Sequence, residues 1–337
     1  MLNMKTSLIP SGRKYRCLGV GSPLVDLLSQ VTDSFIDTIP GEKGGMVMVD
    51  AAEQNSMIDA LPGEVSTAPG GSAGNTVFAL ARLGISCAML GKLGEDDFGR
   101  FYRRSLTELG GSEHAFFKTQ AAPTGSCLSL ITPDGERTMR SNLAASLLLA
   151  PEDVETLDFS EFDLVYIEGY MLFNPAFRTI LKCAGEAGCM IGFDLASFEV
   201  VRAFREELPL LLAENIDIIV ANEEEATELF GKGRSCDEML DELSRRCRIA
   251  VIKRGKRGAL VQCGAEKYRV PAELVENPLD TTAAGDLWAA GFLYGLFSGH
   301  SLEEAARFGA VTSGEVVKVI GSEMSSDTWE YIKSRIQ

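Results

Sequence analysis

From about residue 150 onward, short apolar runs alternate with helical stretches: Phe162 to Glu168, a helix after Asn174-Pro175, Met190 to Leu195, a helix through Phe204 to Leu212, and Ile216 to Val220. Apolar runs of this length read as strands buried on both faces, and strands separated by helices pair in parallel through crossovers. The pattern therefore predicts an α/β fold, a mainly parallel sheet with helices on both faces and ligands at the carboxyl ends of its strands. Polar residues collect at those ends, as Glu168, Asp194 and Asn222-Glu223-Glu224-Glu225.

The stretch Asp280-Thr281-Thr282-Ala283-Ala284-Gly285-Asp286 runs straight into Leu287-Trp288-Ala289-Ala290-Gly291-Phe292-Leu293. Small residues bracketed by two carboxylates and followed by an apolar run predict a loop at the N-terminus of a buried helix, with residues 283 to 285 in its first turn. Unpaired N–H groups and the helix dipole make such an end an anion site. Asp286 there can serve as a general base for a substrate hydroxyl, or as a first-turn acid that favours the dipole, with Asp280, Thr281 or Thr282 as N-cap.

The 337 residues are 45% hydrophobic and carry a net charge of −16, which suits a globular protein and disfavours nucleic acid or anionic membrane as partner. No apolar run reaches the length of a membrane span, and the opening residues lack a signal-peptide core, so a cytoplasmic location is expected. Eight cysteines without a C-x-x-C pair read as free thiols rather than disulfides or a zinc site. His114 and His300 stand near no G-x-S-x-G elbow, which argues against a Ser/His/Asp enzyme.

Residues 1 to 14 read as a tail, and Tyr15 to Leu28 as a first strand broken at Gly21 and Pro23. Gly19-x-Gly21 resembles a dinucleotide fingerprint only weakly, since the third glycine is absent. Ala68-Pro69-Gly70-Gly71-Ser72-Ala73-Gly74-Asn75 is a glycine-rich turn that opens an amphipathic helix ended by Gly84. Gly125 to Met139 reads as a hairpin turning at Pro133-Asp134-Gly135. The basic turn Lys253-Arg254-Gly255-Lys256-Arg257-Gly258 in an acidic chain suggests local phosphate contact, or a solvated hairpin.

Taken together, four motifs resemble those of the ribokinase family (the PfkB family of sugar and nucleoside kinases), in the family's order from about Arg16 to Ser322. The loop ending in Asp286 is similar to D-T-x-G-A-G-D, with Ala283 where the family usually has glycine. The resemblance implies a three-layer α/β/α kinase domain over residues 15–322, with a small β lid from about 29–50 and 115–140 and a C-terminal segment at 323–337. It implies transfer from ATP to a hydroxymethyl group, with Asp286 as base and Ala283, Ala284 and Gly285 as the anion hole. Asp26, Gly70, Gly71 and Asn75 would hold the acceptor, and Asn222, Gly255, Gly258 and Thr281 the nucleotide. Glu225 would support Mg2+ through water, and a monovalent cation is a further candidate cofactor.

Gly-Ser-Pro-Leu-Val-Asp, Gly-Gly-Ser-Ala-Gly-Asn-Thr and Glu168-Gly169-Tyr170 are similar to the adenosine-kinase branch, so a nucleoside is the expected acceptor. A sugar is the alternative, and Ala283 motivates a third reading, a catalytically silent relative that only binds such a ligand. The expected partner is a small molecule, and the expected state a monomer or homodimer.

Overall fold

The computed structural model describes residues 8–134 and 136–336. Its first sheet is built from β1 (Tyr15–Val20), β5 (Cys87–Gly94), β6 (Phe116–Thr119), β9 (Phe162–Glu168), β10 (Met190–Asp194), β11 (Ile218–Asn222), β12 (Ile249–Lys253), β13 (Ala259–Cys263) and β14 (Glu266–Val270). Its order is β14-β13-β12-β11-β10-β9-β1-β5-β6, parallel throughout except for the antiparallel β12/β13 and β13/β14 pairs. Both faces are covered. Leu164, Tyr166, Ile218, Val220, Ile249 and Val251 face one core, while Val165, Ile167, Ile219, Ala221, Ala250 and Ile252 face another. Strand alternation at a period of two divides each run between the two cores.

The second sheet, in the order β3-β8-β7-β2-β4, comprises β2 (Leu24–Gln30), β3 (Met46–Met48), β4 (Ser66–Gly70), β7 (Gly125–Ile131) and β8 (Arg137–Asn142). This sheet draws on more of the chain than the two segments expected to form a lid. The break at Gly21 and Pro23 sends β2 out of the first sheet, so Asp26 sits in the middle of a strand of the second sheet rather than at a strand end. Conversely, β6 falls within the expected lid range but extends the edge of the main sheet, pairing with β5. The β7/β8 hairpin turns where expected, although Gly135 lies outside the described residues.

Two further segments depart from expectation. The helix expected through Phe204 to Leu212 is two helices, Phe198–Ala203 and Leu208–Asn215. Pro209 explains the break: lacking an N–H, it sits in the first turn of the second helix, where it is tolerated, and not in an interior. The described part of the expected tail is docked. Ile9 is fully buried, and the Arg13 guanidinium donates to the carbonyls of Phe162, Ala187 and Gly188. Residues 1–7 lie outside the described residues.

The helix Ala284–Phe297 is buried almost all round, between the helices Ser72–Arg82 and Leu302–Val316. Burying Leu287, Trp288, Phe292, Leu293, Leu296 and Phe297 stabilises it by on the order of 10 kcal/mol before the cost of chain ordering. Its first turn is thereby held rigidly over the carboxyl edge of the sheet. All eight cysteines are free, and no helix among the described residues is long and apolar enough to cross a membrane.

Candidate active site

Four strands end on polar residues, and alternation decides where these point. Glu168 follows Leu164 and Tyr166, Asp194 follows Met190 and Gly192, Asn222 follows Ile218 and Val220, and Lys253 follows Ile249 and Val251. The apolar members of each series belong to the core that also contains Leu287 and Phe292 of the buried helix. Glu168 accepts from the N–H groups of Ser22 and Ala73, while Asp194, Asn222 and Lys253 emerge beneath the N-terminus of that helix. A cavity of about 450 Å3 opens there, lined by Asp194, Asn222, Glu225, Lys253, Gly285 and Asp286 among others.

Of the residues singled out from sequence, Thr281, Ala284, Gly285, Asp286, Asn222, Glu225, Gly255 and Gly258 all line this cavity. Gly255 and Gly258 have positive φ, 54° and 81°, in the turn after β12, and a side chain on Gly258 would collide with the Val270 carbonyl. Ala283 differs from expectation. It is the N-cap rather than a first-turn residue, is buried, and does not line the cavity; its φ of −87° is one that alanine adopts without strain. Ala284 differs too, because its N–H donates to the Thr281 carbonyl at 3.1 Å. The N–H groups of Ala283, Gly285 and Asp286 have no protein acceptor among the described residues.

Asp286 is the hub. Ser72 donates its hydroxyl to one carboxylate oxygen and Asn75 its amide to the other, each at 2.8 Å. Gly71 makes this possible as N-cap of the Ser72–Arg82 helix, with a φ of 87° that turns β4 into the helix and carries both donors to Asp286. Desolvation pushes the Asp286 carboxyl up to about 7, and Asp194 adds to the effect, against the pull of the Asn75 and Ser72 hydrogen bonds and of Lys253.

Asp194 accepts from Lys253 Nζ and from the Tyr166 hydroxyl, both at 3.1 Å. Burial pulls the Lys253 ammonium down, but Asp194, Glu225 and Asp286 more than offset this, so its pKa stands above the ordinary value and it stays charged. Glu225 is buried and is raised by desolvation and by Asp194. Its two oxygens accept the Asn222 N–H and side-chain amide at 2.7 Å each, so the pair is also a capping box for the helix Glu223–Phe230.

The described residues contain no cluster of three His, Cys, Asp or Glu suited to hold a metal. A lone buried carboxylate such as Glu225 would suit Mg2+ held mainly by phosphate and water, meeting its hydration shell rather than the ion. No direct ligand is implied.

The residues expected to hold the acceptor, Asp26, Gly70, Gly71 and Asn75, do not line this cavity, and of them Asn75 touches Asp286. Gly70 and Gly71 lead into the helix that carries Asn75, whose amide oxygen is buried and unpartnered. Asp26 does not present a free carboxylate. The Arg137 guanidinium, from β8, donates to Asp26 at 3.1 Å and reaches Asp280 at 3.5 Å. Desolvation raises Asp26 against the pull of Arg137. Gly70 leaves room for this carboxyl, which a side chain there would strike.

Arg137, Lys253, Asp194 and Ser72 were not among the residues assigned a role from sequence. For Lys253 a signal existed, since it continues the buried series Ile249 and Val251 by one further step of two, unlike its neighbours Arg254, Lys256 and Arg257 in the turn. Arg137 carried none, because its partners are 111 and 143 positions away.

Comparison with known proteins places this geometry. Residues 44–329 match the model of the pfkB family carbohydrate kinases. The 5-dehydro-2-deoxygluconokinase of Listeria innocua serovar 6a is 29% identical over 281 residues, 79% of this chain and 86% of that protein. That of Geobacillus thermodenitrificans is 28% identical over 282 residues, 80% of this chain and 84% of that protein. Among solved structures, the adenosine kinase from Sinorhizobium meliloti aligns with a TM-score of 0.86 and 32% identity, covering 96% of this chain and 99% of that one. A probable sugar kinase from Rhizobium etli CFN 42 aligns at 0.84 and 31%, with the same coverage.

Proposed function

The chain belongs to the pfkB family of carbohydrate kinases and is an ATP-dependent kinase, and from that premise we propose that it phosphorylates a hydroxymethyl group of a sugar. The observation that carries the site assignment is Asp286, held by Ser72 and Asn75 at the start of a buried helix whose N–H groups remain open. In this reading Asp286 takes the proton of the acceptor hydroxyl, and the N–H groups of Gly285 and Asp286 hold the charge that develops on the phosphoryl oxygens. Thr281, Asn222, Gly255 and Gly258 bound the nucleotide, and Glu225 would help hold a hydrated Mg2+, which would supply neutralisation of phosphate charge.

A sugar is favoured over a nucleoside by the family's description and by the two curated relatives, both named for a gluconate derivative. This reverses the sequence-based preference for a nucleoside. The acceptor end agrees with it in chemistry, since the unpartnered Asn75 oxygen offers a hydrogen-bond acceptor to a hydroxylated ligand. The nucleoside reading is kept alive by one observation, the 32% identity to the Sinorhizobium meliloti adenosine kinase over nearly the whole chain.

ATP turnover measured against a panel of neutral sugars, sugar acids and nucleosides separates the readings. Higher kcat/KM for a sugar or sugar acid is expected, and a nucleoside at the head of the ranking would overturn the assignment.

A further inference from the structure

The cavity beneath the helix start is lined by four carboxylates, Asp194, Glu225, Glu273 and Asp286, and by two lysines. Lys256 lies on the exposed turn, whereas the Lys253 side chain is only 14% exposed. An ammonium has three N–H donors, and one of those of Lys253 is used, on Asp194. Its position is tied to the helix start: a Cβ built on Gly285 would lie 3.1 Å from Lys253 Nζ. The absence of a side chain at 285 therefore gives the ammonium direct access to the same space that the open N–H groups of Gly285 and Asp286 face.

A phosphoryl group in transfer spreads negative charge over its equatorial oxygens, and a site of carboxylates alone would oppose it. We propose that Lys253 is a phosphoryl-binding catalytic residue, whose ammonium, oriented by Asp194, contacts the γ-phosphoryl group beside Gly285. The acceptor oxygen forms the new bond to phosphorus, the bond to the bridging oxygen breaks with its electron pair retained by ADP, and the acceptor proton passes to Asp286. Lys253 exchanges no proton in this step. Asp194, which touches only Lys253, Tyr166 and the backbone of Ala196 among its hydrogen-bond partners, is then a positioning residue.

The proposal rests on reading the Asp286 helix start as the phosphoryl site, and its test separates the two. Lys253→Met keeps the aliphatic stem and removes the charge. The affinities of the full chain for ATP and ADP are measured by calorimetry, together with steady-state turnover. If Lys253 touches the γ-phosphoryl group, the variant loses about tenfold or more of the preference for ATP over ADP, and its kcat falls by roughly 10²–10³-fold. Unchanged nucleotide preference with kcat within about threefold of wild type would overturn it.

Lys253→Met leaves Asp194 buried without its cation and can fail to fold, so the neutral pair Asp194→Asn/Lys253→Met is measured as well. A purely charge-neutralising lysine predicts that this double variant recovers the wild-type preference and turnover, which would refute a phosphoryl contact; continued loss of both supports it. Asp286→Asn, run alongside, is expected to lose turnover but keep the preference for ATP. Full turnover in that variant would remove the site reading and the Lys253 proposal together.

Discussion

Asn75 gives its amide N–H to Asp286 at 2.8 Å while its own amide oxygen lies buried without a partner. A buried acceptor left unmade costs about 1–3 kcal/mol, so the Asn75 oxygen would be satisfied by a ligand group that donates, such as a hydroxyl of the acceptor other than the one that gives its proton to Asp286. The hydrogen bond to Asp286 also holds that carboxyl below where burial alone would put it. Asn75→Ala should therefore raise the Asp286 pKa further above about 7 and move the acidic limb of the kcat/KM profile to higher pH, by roughly one pH unit. An unmoved limb would mean that another group sets it.

Asp286→Asn should lower turnover by about 10²–10⁴-fold, the contribution expected of a general base, with ATP binding retained. Its effect on stability has the opposite sign. The folded pKa of about 7 lies above the roughly 3.9 of an unfolded aspartate, so the folded chain binds the proton more tightly and loses stability as pH rises through that interval. The variant lacks this loss. Between pH 4 and pH 8 its stability relative to wild type should improve by on the order of 1–3 kcal/mol, read from denaturant midpoints at the two pH values.

Arg137 is the cation for two buried carboxylates, Asp26 and Asp280. Arg137→Met leaves both uncompensated and should destabilise the chain by about 3–5 kcal/mol at neutral pH, and less at low pH, where Asp26, whose carboxyl burial already raises, takes up its proton. A urea midpoint unchanged at neutral pH would show that water replaces the guanidinium. Asp26→Ala, which leaves Arg137 with Asp280, is expected to reduce kcat/KM for the acceptor far more than ATP affinity. Equal weakening of both ligands would make Asp26 a structural residue.

Ala283→Gly tests the departure from the family's usual glycine. With φ at −87° and the methyl group buried, alanine costs nothing here, and glycine should lower stability by roughly 0.5–1 kcal/mol, with turnover within a few-fold of wild type. A variant faster than wild type by orders of magnitude would mean that the methyl group obstructs the phosphate.

Much of this could be read from the chain because the signals were local. The alternation after residue 150 contained the parallel sheet, since both-face burial forces apolar runs, and the small residues before Leu287 marked the helix start. Asn222 and Glu225 are three residues apart, a spacing that is itself a cap. What escaped was long-range or decided by register. The break at Gly21 and Pro23 was visible, but that it moves β2 to another sheet depends on pairing with β7, a hundred residues on. Lys253 looked like one of a cluster of mobile cations until its place on the inward series of β12 was fixed.

Asp280 accepts from Arg137 of the second sheet and from the Thr282 N–H and hydroxyl in the loop before the buried helix, and also from the Gly321 N–H just ahead of the helix Ser326–Ile336. That helix packs Trp329, Ile332 and Ile336 into the same core as Leu287. The helix Ser326–Ile336 is thus mechanically in series with the loop that carries Thr282, and trimming it, or loading it with a bulky fusion, would be felt as a slackened cavity beneath Asp286 rather than as a lost appendage.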